Sequence, residues 1–164
     1  RAVRMNYWLM KSEPEAFSIA DLKMRPKQTE HWDGVRNYQA RNFLRAMKKG
    51  DVAFFYHSSC EVPGVYGIIE ITHAAYPDHT AWDPENHHYD PKSTPERPLW
   101  DMVDVRFQRA FKQPVTLAAI KAQAALKTMR LVQRGSRLSV MPVSAKEWNA
   151  ILKLEKIVES TLEE

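Results

Sequence analysis

Two β-rich runs joined by a short turn place the strongest constraint on the fold. Residues 52–57 and 65–72 are rich in β-branched and aromatic side chains, which favour extended strands. The segment between them, Ser58 to Gly64, contains serine, proline and glycine, the residues typical of turns. We therefore predict an antiparallel hairpin in this part of the chain.

Further short elements flank the predicted hairpin. Apolar or alternating runs predict strands at residues 7–10, 102–107 and 139–141. Helices are expected to begin where a side chain can cap the first turn, at Ser18, Asn37, Thr116 and Ser144. Five or six strands with short helices around them predict an α+β fold with a mixed or antiparallel sheet, or a small barrel.

The sequence also sets the expected extent of two helices and two loops. The helix after Asn37 is expected to reach about Lys48, and the Thr116 helix about Leu126. Residues 24–31 and 73–98 are polar with little periodicity, and we expect them to be loops. Long irregular segments in small domains are often functional.

The length of 164 residues predicts one domain. We place it at residues 5–158 and expect residues 1–4 to be an N-terminal extension. The single cysteine, Cys60, excludes an intrachain disulfide and predicts a reducing, intracellular compartment. We find no signal peptide and no apolar run of the ~20 residues that a membrane helix needs. A cytoplasmic protein, or a nuclear one in a eukaryote, is therefore expected.

The net charge is +4, from 24 basic and 20 acidic residues. This mild excess permits contact with a polyanion but does not establish it. The sequence leaves the oligomeric state open.

Residues 32–43 concentrate the side chains that proteins use to recognise nucleobases. They hold one tryptophan, one tyrosine, two arginines and two asparagines. Aromatic faces stack on bases, amides read base edges and guanidinium groups hold phosphates. Residues 134–139 have a similar character, with two arginines, a glycine and two serines. The two segments together predict a nucleobase pocket.

Two interpretations stay open for several of these residues. Trp32 either walls a pocket or packs in the core. Asn37 either reads a base edge or caps the following helix. His57 and Ser58 end a strand, so one of them either reaches the pocket or is satisfied structurally. Residues 11–14 either aim Ser12 at a ligand or form an ordinary strand exit.

Two interpretations also stay open for the predicted phosphate-binding residues and for one turn. Arg41, Arg45 and Lys48 share a helix face that either follows a phosphate backbone or is merely solvated. The turn at residues 134–137 either holds a ligand and phosphate or carries solvated charges.

The segment at residues 73–98 contains four histidines and three aspartates. Their spacing matches neither a zinc-binding helix pair nor a Cys/His cluster. We predict no metal, no other cofactor and no catalytic residue. An enzyme that acts on modified nucleotides or RNA through this segment remains an alternative, as does a small-molecule sensor.

Five blocks occur in an order that closely resembles the EVE domain family, from about Met5 to Leu154. They are YWLMKSEP at 7–14, WDGVRNYQARNF at 32–43, GDVAFFYHS at 50–58, YPDHTA at 76–81 and RGSRLSVMPV at 134–143. The resemblance implies a PUA-like fold, in which helices surround a curved, barrel-like sheet. It also implies a non-catalytic reader that accommodates a methylated or oxidised base, such as 5-methylcytosine, in DNA or RNA.

Together, the residue types and the resemblance predict two sets of site residues. The expected ligand-binding residues are Lys11, Ser12, Glu13, Trp32, Val35, Arg36, Asn37, Tyr38, His57, Ser58, Arg134, Gly135 and Ser136. The expected phosphate-binding residues are Arg41, Arg45, Lys48 and Arg137.

Overall fold

A six-stranded mixed sheet organises the computed structural model, which describes residues 5–162. Its strands are β1 (Tyr7–Ser12), β2 (Thr29–Trp32), β3 (Val52–His57), β4 (Gly64–Pro77), β5 (Asp101–Thr116) and β6 (Val140–Val143). Their order is β2-β5-β4-β3-β1-β6. Only β1 and β3 pair in parallel; the other neighbours are antiparallel. The prediction of an α+β fold around a mixed sheet is confirmed.

Helices connect and cover these strands. Four α-helices occur in the described residues: α1 (Ile19–Met24), α2 (Tyr38–Ala46), α3 (Leu117–Lys121) and α4 (Ala145–Leu162). Short 3-10 turns lie at Pro26–Gln28, His79–Trp82, Ala124–Leu126 and Arg130–Val132. The long pair β4 and β5 has four register shifts. Because such bulges bend strands and increase their twist, they curve the sheet.

The central strand β3 is buried on both faces. Its side chains alternate between two hydrophobic cores, so that Phe54 packs in the first core and Phe55 in the second. In the first core, Trp148 of α4 stacks on Phe54 with ring centroids 3.8 Å apart. In the second core, Leu44 of α2 and Leu22 of α1 are fully buried. Helices therefore cover both faces of this strand.

The predicted helix caps are present. Ser18 and Asp21 form a reciprocal capping box at α1, and Ser144 and Glu147 form one at α4. Asn37 Oδ1 accepts from the Ala40 N–H at the start of α2, and Thr116 caps α3 in the same way. These interactions join residues three positions apart, so sequence alone predicts them. The predicted hairpin is also confirmed, as the β3–β4 pair.

Several boundaries differ from the predictions. The strand β2 begins at Thr29, inside the loop predicted at residues 24–31, because these residues pair with the distant strand β5. The helix α2 ends at Ala46, so Lys48 lies beyond it. The helix predicted after Thr116 divides into α3 and a separate 3-10 turn. The strand β4 continues to Pro77 and takes in the first part of the predicted long loop.

The predicted N-terminal extension, residues 1–4, lies outside the described residues. Across residues 5–162, none of the helices has both the length and the apolar character required to cross a bilayer.

A buried carboxylate joins β1 to the connection between α2 and β3. Asp51 is only 4% exposed. Its carboxylate accepts hydrogen bonds from Trp8 Nε1 at 3.0 Å, the Lys48 N–H at 2.9 Å and the Asn6 N–H at 3.4 Å. Donors left without a partner in the interior are costly.

We expect Asp51→Ala to lower the free energy of unfolding by about 3 kcal/mol, because it leaves the buried Trp8 indole N–H unpaired. Urea denaturation followed by tryptophan fluorescence measures this. Asp83→Ala is the matched control, since Asp83 accepts one hydrogen bond at an exposed site. Equal losses in the two variants would contradict the role of Asp51.

His57 stabilises the start of α1 from inside the protein. It is 6% exposed, its Nε2 accepts from the Ile19 N–H at 3.2 Å, and its ring stacks on Tyr66 at 3.9 Å. Burial lowers the pKa of His57, although the charge of Asp21 opposes this. The imidazole is therefore neutral in the folded protein near pH 7.

The stability of the protein should depend on pH through His57. Since its folded-state pKa lies below the unfolded value of about 6.5, the unfolded chain binds more protons as pH falls through that value. The free energy of unfolding should then decrease from pH 7.5 to 5.5. His57→Gln keeps an acceptor but does not titrate, so its decrease in urea melts should be smaller. Identical decreases would exclude this contribution.

Candidate functional site

A cavity of about 550 Å³ opens at the ends of β1 and β2. Three segments form most of its lining: the exit of β1 (residues 11–13, 16 and 17), β2 with the loop after it (30–35), and residues 86–88. Arg25 and Ser139 complete it. The segment around Ser139 is held in place because the Lys11 N–H donates to the Ser139 carbonyl at 2.8 Å.

Trp32 belongs both to the second core and to the cavity lining. Its side chain is 6% exposed and packs edge-on against Phe55 at 5.3 Å and Phe17 at 6.4 Å. Both interpretations of Trp32 therefore apply. Most of the indole packs in the second core, and the remainder lines the cavity.

The wall beside Trp32 is fastened by a buried ion pair. Asp78 Oδ2 accepts from the Gly34 N–H at 2.9 Å and from Arg36 Nη1 at 3.0 Å. Asp78 Oδ1 accepts from the backbone and hydroxyl of Thr80. Burial raises the pKa of Asp78, but the bonds from Thr80, Gly34 and Arg36 outweigh it, so the pKa lies below its ordinary value.

Arg36 also holds the segment that supplies His88. Its Nε and Nη2 donate to the His88 carbonyl at 3.0 and 2.8 Å. The same guanidinium also donates to Asp78, so its hydrogen bonds go to groups within the protein. Arg36 does not line the cavity.

Gly34 allows the His88 ring to approach the backbone of this wall. Its φ is +80°, and a Cβ there would lie 2.5 Å from two ring atoms of His88. Any other side chain would both strain the backbone and displace the imidazole.

His88 presents a neutral ring to the cavity. Burial lowers its pKa, while the nearby charge of Asp33 opposes this. Its Nδ1 is buried, has no hydrogen-bond partner among the described residues, and lies 3.9 Å from Asp33 Oδ2. A buried polar atom without a partner is rare in folded proteins, and this one belongs to a residue that lines the cavity.

Charged groups of both signs line the cavity. Arg25 Nε lies 2.9 Å from Glu30 Oε2. The His31 ring lies between two carboxylates, with Nδ1 3.0 Å from Glu30 Oε1 and Nε2 3.5 Å from Asp33 Oδ2. Lys11 lies over the Tyr56 ring at 5.7 Å, and burial lowers its pKa. Donors and acceptors beside an aromatic wall suit a flat polar heterocycle.

Five of the predicted ligand-binding residues line the cavity: Lys11, Ser12, Glu13, Trp32 and Val35. The hydroxyl of Ser12 is partly committed, because it donates to the Phe17 carbonyl at 2.6 Å.

The other predicted ligand-binding residues lie outside the cavity lining. Asn37 caps α2, His57 is inside the fold, and Ser58 donates its N–H to the Ser12 carbonyl at 3.0 Å. Tyr38 faces outward on α2. Arg36 binds Asp78 and the His88 carbonyl. Arg134, Gly135 and Ser136 form a turn that leads to the lining residue Ser139.

The predicted basic face is partly engaged within the protein. Arg41 donates to the Leu99 carbonyl at 2.9 Å, and Arg45 pairs with Asp101. Lys48 and Arg137 are exposed. A phosphate role for these four residues stays a prediction.

Several lining residues were not predicted as ligand-binding: Ala16, Phe17, Arg25, Glu30, His31, Asp33, Gly34, Asn86, His87, His88 and Ser139. The irregular, histidine-rich character of residues 73–98 is the signal that could have identified residues 86–88. Across residues 5–162, no group of three His, Cys, Asp or Glu side chains has the arrangement of a metal site.

Comparisons with known proteins agree with this architecture. Mouse (Mus musculus) thymocyte nuclear protein 1 is 52% identical over 168 residues, which covers 92% of this chain and 74% of that protein. A crystal structure from Pseudomonas syringae is 55% identical with a TM-score of 0.88, covering 91% of this chain and 99% of that one. The human THYN1 protein in complex with 5-methylcytosine-containing DNA is 51% identical with a TM-score of 0.88, covering 92% and 97%.

The expected PUA-like curved sheet is confirmed by these likenesses. The family model described as the EVE domain matches residues 6–154. Because this match spans nearly the whole chain, and the relatives above are more than half identical to it, the chain belongs to the EVE domain family.

Proposed function

We propose that this protein is a reader of modified bases in nucleic acid, and that the base enters the cavity beside Trp32. The observation that carries the proposal is a preformed, open cavity whose lining combines the Trp32 indole with polar and charged side chains. The human relative in complex with 5-methylcytosine-containing DNA supports it, because its fold and half of its residues match this chain.

The cavity has the size and chemistry for this role. Its volume lies in the range of small-molecule sites, roughly 300–1,000 Å³. Extruding a base costs a few kcal/mol. Full stacking on an aromatic side chain contributes roughly 1–3 kcal/mol, and the largely buried Trp32 supplies only part of this. Hydrogen bonds from the polar lining must supply the remainder.

Discrimination of the modification should be graded. A methyl group fitted into an apolar niche adds only about 1–3 kcal/mol. Val35 and Phe17 are the apolar lining residues beside Trp32 that offer such a niche.

The strand that carries the base needs cationic contacts outside the cavity. Arg134 and Arg137 are exposed in the turn that leads to Ser139, a lining residue. We assign them to the phosphates of the flanking nucleotides.

A variant that fills the cavity tests the proposal more sharply than removal of Trp32, which would also damage the second core. Ala16 is exposed and lines the cavity, whereas the exposed Ala20 of α1 does not. Ala16→Trp should weaken binding to a 5-methylcytosine oligonucleotide by at least about tenfold, or about 1.4 kcal/mol, because the indole occupies the space of the base. Fluorescence anisotropy with labelled oligonucleotides measures this.

Ala20→Trp is the matched control and should leave affinity within about twofold. The same oligonucleotides with unmodified cytosine, as DNA and as RNA, define the selectivity. Equal affinities of parent and Ala16→Trp for the methylated strand would refute occupancy of this cavity.

The arginines of the turn should set the salt dependence of binding. Each phosphate that a cationic side chain neutralises steepens the slope of log K against log salt by about 0.7–0.9. The double variant Arg134→Ala/Arg137→Ala should therefore have a shallower slope in titrations from 50 to 200 mM salt, a range of roughly fourfold. Lys153→Ala/Lys156→Ala, on the exposed side of α4, removes the same charge and should leave the slope unchanged. A slope that changes equally in both variants would indicate only a general charge effect.

The rival proposal is an enzyme that acts on a modified nucleotide. The neutral imidazole of His88 near Asp33 is the feature that favours it. Mass spectrometry of modified nucleotides incubated with the protein, with and without divalent metal, separates the two. A reader returns the nucleotide intact, whereas product that disappears in His88→Ala would establish catalysis.

A further inference from the structure

An exposed aromatic stack lies beside Arg36, the residue that fastens the cavity wall. Tyr38 is 55% exposed, although it is a large side chain at the first turn of α2. Its ring lies 4.8 Å from that of Trp100, with an interplanar angle of 20°. Trp100 is 5% exposed, so Tyr38 covers a buried partner and presents the rest of its own ring to solvent.

The stack is held rigidly. Trp100 Nε1 donates to Asp90 at 2.7 Å, which sets the orientation of the indole. The guanidinium of Arg41 lies 4.8 Å from the centre of the Tyr38 ring and is anchored on the Leu99 carbonyl. Because these partners fix the ring, a molecule that stacks on Tyr38 costs little additional side-chain entropy on binding.

Arg36 connects this stack to the cavity. Its guanidinium lies 5.6 Å from the Trp100 ring and also donates to the His88 carbonyl in the cavity wall. Along the chain, Tyr38 follows the lining residue Val35 by three positions. Three residues span at most about 11 Å, and nucleotides in a stacked strand repeat at about 3.4 Å. The Tyr38 backbone is therefore within about 11 Å of a residue that lines the cavity, a distance that a few nucleotides of a flanking strand can span.

We propose that Tyr38, supported by Trp100 and Arg41, is a second base-stacking platform, which binds a base neighbouring the modified one on the same strand. The exposed ring supplies the stacking face, and the adjacent guanidinium suits the phosphate beside that base. This inference rests on the proposed reader function and adds to it a reason for preferring a polymer over a free nucleoside.

The platform predicts a dependence on ligand length. Parent protein should bind a single-stranded heptanucleotide with a central 5-methylcytosine more tightly than it binds 5-methyl-2′-deoxycytidine. Tyr38→Leu should bind the heptanucleotide roughly tenfold more weakly, within the range of one base–aromatic stack. It should bind the nucleoside as the parent does. Tyr38→Phe keeps the ring and should behave as the parent with both ligands. Calorimetry and anisotropy measure these affinities.

An abasic scan identifies the stacked base. Replacing each flanking base in turn by an abasic site should weaken binding to the parent at one position, within three nucleotides of the modified base. The same replacement should have no effect on Tyr38→Leu. Thermal unfolding of the variants shows whether they fold as the parent does, and Tyr38→Ala provides a second truncation.

The outcomes separate this inference from the proposed function. If parent and Tyr38→Leu bind all strands equally while Ala16→Trp abolishes binding, the reader function stands and the platform is excluded. If every position in the abasic scan affects both proteins alike, Tyr38 contacts no base and the platform is again excluded. If the parent binds neither nucleoside nor strand, the proposed function itself fails.

Discussion

The buried carboxylate of Asp78 is the group on which the cavity wall depends. A buried charge is tolerated only when it is paired and hydrogen-bonded. Asp78 meets this condition by binding Gly34, Arg36 and Thr80 together, and Arg36 extends the network to the His88 carbonyl. The loop after β2 and the segment around residue 88 are thereby fixed to each other. The shape of the cavity follows from this junction, not from the sheet alone.

The cavity combines an aromatic side chain of the core with a polar wall. Trp32 lines the cavity and packs against Phe55 in the second core, so this part of the lining shares the stability of the sheet. The wall carries Asp33 and His88, which line the cavity. Hydrogen bonds already order this wall, so a molecule that enters the cavity need not order it at a further entropic cost. The outer aromatic stack at Tyr38 and Trp100 is attached to the same wall through Arg36.

Local features of the fold could be predicted, and nonlocal ones could not. The four helix caps and the β3–β4 hairpin depend on residues close in sequence, and all are present. The strand β2 was missed because its four residues have weak strand character and pair with β5, which lies far along the chain. The burial of both faces of β3 likewise depends on the helices that cover each side of the sheet, and these come from distant parts of the chain.

The sequence by itself determined the family, the α+β class and the segments around residues 11–13 and 32–35 that meet at the cavity. Tertiary structure decided which polar side chains remain available to a ligand. Arg36, Asn37 and His57 have the chemistry of base recognition, yet each binds a group within the protein. Conversely, His88 and Ser139 reach the cavity from distant parts of the chain. The physical reason is that a polar side chain binds the partner that the fold places beside it, and that partner usually lies far away in sequence.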